Sequence, residues 1–197
     1  MSVNKCAPLL RGLALLGLLS AAACSQVGPV TEVAPGNIEP DHLAFAMDEV
    51  EALQAKGARV WCVPFARNLS GIDIRGDART WFRQAQKEEE FAVGHAPVVG
   101  AVMAFSATKS MPLGHVAVVS GLVSDRELLV DHANWHRNEV SLGMRVIDVS
   151  KNNDWTRVRV ESYPGAFGNV YPVDGFILPQ AGDNDGRSVV VEASLAQ

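Results

Sequence analysis

Several things this chain lacks bound what it can be. It has only three cysteines in 197 residues, and none stands in a Cys-x-x-Cys pair. With no His-Glu-x-x-His pattern either, the usual zinc frameworks are missing. His132 and His136 are four apart, but the segment between them reads as a strand end and loop, not a helix that would align two ligands. No metal or other cofactor is implied. The net charge is −5 and the basic residues do not cluster, which excludes the electrostatic footprint of a nucleic-acid binder. Long apolar runs are also scarce. The one from Gly12 to Ala23 falls short of the about 20 residues a spanning helix needs.

What is present at the N-terminus has a recognisable order. Positive charge at Lys5 and Arg11 precedes the apolar run, which ends in Ser20, Ala21, Ala22 and Ala23. This is the arrangement of a secretory signal peptide over residues 1–23. Cys24, followed by Ser25, resembles the lipobox of bacterial lipoproteins, in which the new terminal cysteine is acylated. Ala21 stands where leucine is usual, so plain cleavage at the Ala-x-Ala pattern of Ala21 and Ala23 competes with lipidation of Cys24. The expectation is an exported chain in the periplasm or cell envelope, lipid-anchored through Cys24. Residues 24–40 read as a flexible tether, 41–179 as one domain with a single core, and 180–197 as a tail that is disordered or adds an edge strand. A monomer is expected. Asn68-Leu69-Ser70 fits a glycosylation sequon, which is a chance match beside a bacterial-looking export signal.

Within the domain the pattern changes midway. Asp41 offers an N-cap, Leu43, Met47, Val50 and Leu53 follow at helical spacing, and Gly57 supplies a stop, so a helix is expected over about 41–56. A second, short helix should begin around Cys62 and end near Gly71, with Pro64 in its first turn, where a missing N–H loses no partner. A third covers Ala78 to Gln86, and the charged run from Lys87 to Glu90 is a solvated end or loop. Beyond Pro97 the chain turns to β, with strands expected at 98–105, 114–123, 127–133, 144–149, 156–160 and 170–178. Helices followed by an antiparallel meander make the fold α+β.

Once Cys6 leaves with the signal peptide and Cys24 is acylated, Cys62 is an unpaired thiol in an oxidising compartment. One reading is a small buried hydrophobe. The other is a nucleophile whose thiolate is favoured by the N–H groups at a helix start. Strand alternation puts His115 on one face with Ala117 and Val119, either as a core-edge histidine or as the base that takes the thiol proton. The same period places His132 and Asn134 together and Asp131 on the opposite face. Either of the first two can orient His115 as a third catalytic member; Asp131 could do so only through a bulge.

The blocks Cys-Val-x-Phe-Ala-Arg at 62–67, Gly76-Asp77-Ala78 with Trp81, Pro97-x-x-Gly100-Ala101-Val102, Gly114-His115-Val116-Ala117-Val118-Val119 and Asn134-Trp135 are similar, in order and spacing, to the CHAP family of cysteine- and histidine-dependent amidohydrolases and peptidases. The resemblance covers roughly residues 58–136. It implies a papain-like α+β fold, with Cys62 on a helix packed against an antiparallel sheet that holds His115. It further implies hydrolysis of an amide bond in peptidoglycan, by an amidase or an endopeptidase. A relative-like amidase acting on a small non-wall amide, or a non-catalytic envelope lipoprotein that binds wall peptides or a partner, are the alternatives. The family commonly has glutamate where this chain has His132, and related wall peptidases use histidine as the third residue.

Overall fold

The computed structural model describes residues 38–87 and 91–178. The signal peptide, Cys24, nearly all of the tether, and the tail from 180 lie outside the described residues.

The three helices fall where periodicity places them. The first, α1, spans Pro40–Ala55 and buries Ala46 and Val50. Its N-cap is Glu39 rather than Asp41, because Pro40 takes the first helical position, where its locked φ suits the helix. Helix α2, Cys62–Ser70, buries Phe65, Ala66 and Leu69 and ends at Gly71, whose φ of 74° is the left-handed C-cap conformation. Helix α3, Ala78–Lys87, carries Ala78, Trp81 and Ala85 inward. Trp81 is wholly buried, so its truncation to alanine would cost about 3–5 kcal/mol.

Seven strands follow among the described residues: β1 (Val93–Gly94), β2 (Val102–Phe105), β3 (His115–Ser124), β4 (Glu127–Ala133), β5 (Val140–Asp148), β6 (Arg157–Tyr163) and β7 (Ala166–Ile177). From β2 onward each pairs antiparallel with the next, and β7 returns to pair with β2. The expected meander therefore closes on itself as a six-stranded barrel, with β1 added to the start of the sheet beside β7.

Strand limits differ from the periodic reading in specific places. The stretch 98–101 is a turn, since Gly100 has φ of 86° and Ala101 N–H donates to the Val98 carbonyl. The last three strands run longer than expected, and β6 and β7 form a hairpin closed by Tyr163 and Ala166 over Pro164-Gly165.

Alternation divides the apolar side chains between two cores. Val116 and Val118 of β3 face the helices with Phe65, Leu69 and Trp81. Ala117 and Val119 face the barrel interior with Met103, Phe105, Val130 and Phe176. Because both faces are covered there, Val116 to Val119 of β3 read as an unbroken apolar run rather than as alternating apolar and polar residues.

Candidate active site

Cys62 is the first helical residue of α2, directly after the N-cap Trp61, which makes no side-chain capping bond. Pro64 has no N–H, so the open donors of the first turn are those of Cys62 and Val63. Together with Val116 N–H they favour the thiolate, but burial outweighs them and pushes the Cys62 thiol up. The expectation of a thiol acidified by its helix start is corrected here: the donors are in place, and desolvation is the larger effect.

The approach to His115 explains its glycine. Gly114 has φ of 70°, and a Cβ there would sit 2.7 Å from Arg79 N and 2.9 Å from the Phe105 carbonyl oxygen. This contact draws the start of α3 against the start of β3, where Arg79 N–H donates to the Leu113 carbonyl at 2.8 Å. His115 pairs with Phe105 across β2 and β3. Its ring meets Phe105 at 5.6 Å, Trp135 at 5.1 Å and His132 at 5.1 Å between centroids, all tilted edge-on. Enclosure in this box pushes the His115 pKa down to about 3, so the ring is neutral across the ordinary pH range.

His132 lies on the same barrel-facing side. His115 Nε2 and His132 Nδ1 are 3.0 Å apart, and His132 Nε2 is 3.1 Å from Met144 Sδ. Trp135 stacks on the His132 ring at 5.5 Å and 23°. Burial, reinforced by the neighbouring His115 and His136, holds His132 well below the usual histidine range.

Asn134 has other work. It adopts φ of 63°, so the period-two alternation of β4 ends before it. Its Oδ1 accepts from Asn138 N–H at 3.0 Å and from Arg59 Nε–H at 3.3 Å. Asn138, also left-handed, accepts from Val60 N–H at 2.8 Å and, through its carbonyl, from Gln54 Nε2 at 3.1 Å. These bonds join the turn after β4 to the segment that leads into Cys62. The partner of His115 is thus His132, and Asn134 ties the histidine sheet to the cysteine helix.

Asp131 points away, as alternation requires. The β4–β5 pairing slips between Val130 and His132, because Val130 faces Met144 while His132 faces Ser141. The extra residue forms a bulge at Leu142-Gly143, with φ of 63° at Gly143, and Asp131 Oδ1 accepts Gly143 N–H at 2.6 Å. Its carboxylate holds the bulge, not the base.

Cys62 and His115 open onto one cleft of about 930 Å³, which also takes in Asn134, Trp135 and His136. Trp61 and Tyr163 are its exposed aromatic walls, and the Arg59 guanidinium lies 4.1 Å over the Trp61 ring. Sequence reasoning passed over Met144, Asn138 and Trp61. Asparagine four residues after another in a turn was the available signal for Asn138; nothing local pointed to Met144, which the bulge brings to His132.

The arrangement holds a thiol at a helix start, a neutral imidazole facing the same cleft, and a second imidazole behind the first. That is the equipment for nucleophilic attack on a carbonyl with proton transfer to a base. No curated protein matches the chain. The CHAP domain family matches residues 54–134, a stretch that contains Cys62, His115, His132 and Asn134. Residues 54–134 therefore match the CHAP domain, the domain of cysteine- and histidine-dependent amidohydrolases and peptidases.

Proposed function

We propose that this protein hydrolyses an amide bond of peptidoglycan, with Cys62 as nucleophile, His115 as base and His132 as the residue that orients it. The observation that carries the reading is the hydrogen-bonded pair His115–His132, whose first ring borders the same cleft as Cys62. Attack of the Cys62 sulfur on the amide carbonyl would pass the thiol proton to His115. The N–H groups of Cys62 and Val63, which lie against the sulfur at the start of α2, would stabilise the developing oxyanion. Return of that proton to the leaving nitrogen would free the amine and leave a thioester, which water then hydrolyses. The wall is favoured as substrate by the export signal and by the family's usual activity.

Attachment to the envelope through a lipid on Cys24 belongs to the same proposal, as does action as a monomer. Cell fractionation tests the anchor: the full-length chain should sediment with membranes and Cys24→Ala should be released.

A second reading, wall-peptide binding without hydrolysis, draws support from His132, an imidazole that stands behind His115 where the family commonly has glutamate. Incubation of the chain lacking residues 1–23 with isolated peptidoglycan, followed by mass analysis, separates these readings. New amino termini at alanine indicate an amidase, and shortened peptides an endopeptidase. Retained binding without products supports the second reading.

A further inference from the structure

The hydrogen-bond chain behind the base ends on an atom with one chemical option. A thioether sulfur has lone pairs and no proton, so Met144 Sδ can only accept. His132 Nε2, 3.1 Å away, must then be the nitrogen that carries the proton. A neutral imidazole has a single N–H, which leaves His132 Nδ1 as an acceptor. That atom is 3.0 Å from His115 Nε2, so His115 carries its proton on Nε2. His115 Nδ1 is left with a free lone pair, the state a general base requires.

The opposite assignment fails twice. With His132 protonated on Nδ1, its Nε2 lone pair would confront the sulfur lone pairs at 3.1 Å. His115 would also have to accept on Nε2 and hold its proton on Nδ1, so it could take nothing from the thiol. We propose that Met144 is a positioning residue: by accepting from His132 it sets the tautomers of both histidines and leaves His115 Nδ1 free to receive the Cys62 proton. This inference rests on the hydrolase reading for its catalytic meaning, though not for its geometry.

The fold brings Met144 to this place by the bulge in β5. Opposite Val130 in register, Met144 shares the barrel-facing side with His132 and sits diagonally across from it. Beyond the bulge the strand resumes its alternation, with Val146 in the barrel interior and Arg145 turned outward to Glu127 and Glu161. Met144 lies after residue 134, outside the stretch that the CHAP family covers. The residue behind the third member is therefore supplied by the strands that close the barrel.

The test reads protons directly. The chain has five histidines, so imidazole ¹⁵N spectra of the full chain can be assigned by single substitutions. Wild type should show both His115 and His132 protonated on Nε2. Met144→Leu, close in volume but without an acceptor, should turn both into mixtures with the Nδ1–H form and lower kcat at least about tenfold with KM little changed. Met144→Glu, again acceptor-only, should restore the Nε2–H pair. A wild-type His115 protonated on Nδ1 overturns the proposal, and so does a folded Met144→Leu with both tautomers unchanged. Since the spectra need no turnover, a chain that hydrolyses nothing overturns the hydrolase reading and not this one.

Discussion

His132 stands 3.0 Å behind His115, where members of the family commonly place a carboxylate. A carboxylate would hold an imidazolium by charge, whereas a neutral ring can only orient it and accept its hydrogen bond. Burial reinforces the difference, since it pushes the thiol up and both histidines down. The resting pair is an uncharged thiol and imidazole rather than a preformed ion pair.

Reactivity should follow from that state. Alkylation of Cys62 by iodoacetamide is expected to inflect at higher pH than in the unfolded chain, because desolvation raises the folded thiol. Hydrolysis should rise into the alkaline range without a limb near the ordinary histidine value of about 6.5, since His115 is already neutral there. An inflection below that of the unfolded control would show a thiolate stabilised despite its burial.

Four substitutions rank the groups around the base. His115→Ala should abolish hydrolysis, and His132→Ala should lower kcat by about 10²- to 10⁴-fold, as loss of an orienting group does. Asn134→Ala breaks the bonds to Asn138 and Arg59, so we expect a smaller fall in rate accompanied by about 1 kcal/mol of lost stability. Asp131→Asn should be near wild type, because an amide oxygen can still accept from Gly143. Steady-state kinetics with thermal melts of each variant check the order; a larger effect at Asp131 than at His132 would reverse the assignment.

Replacing the second imidazole by a carboxylate gives a directional test. In His132→Glu a negative charge next to His115 should raise its pKa and stabilise the imidazolium formed as the thiol is deprotonated. Activity should be retained or increased near neutrality and the pH range extended. Direct titration of His115 by NMR should show the upward shift; an unchanged His115 would mean that the new carboxylate does not reach it.

Acid should destabilise the fold through the same two rings. An unfolded histidine takes up a proton near pH 6.5, whereas folded His115 resists until about 3 and His132 is held well below 6.5. The unfolded state therefore binds more protons between those values. Stability is full above about pH 6.5 and falls as pH drops toward 3, by about 1.4 kcal/mol per unit per histidine. Denaturant titrations across this range should show a shallower fall for His115→Gln than for wild type, and equal slopes would contradict the burial argument.

Much of the site was legible because the signals are local. Helical spacing and the glycine stops placed α1, α2 and α3 to within a residue or two, and Pro64 marked the first turn that begins with Cys62. Period two put His115 and His132 toward one side and turned Asp131 to the other, and the pairing of β3 with β4 through the turn after Ser124 follows the same pattern. That rule stopped at Asn134, where a left-handed residue breaks the alternation and sends the side chain to Asn138 and Arg59.

Long-range contacts decided the rest. Closure of β7 onto β2, and the one-residue slip that carries Met144 to His132, depend on how distant strands pair. The sign of the Cys62 shift depends on how much water the packed helices and barrel exclude, which outweighs the helix-start donors that the sequence alone makes visible. Residue order thus determined which side of its strand each of His115, His132 and Asp131 takes, since periodicity is a property of a few consecutive residues. Their protonation states were decided only by the tertiary structure, because desolvation and hydrogen-bond partners come from residues far apart in the chain.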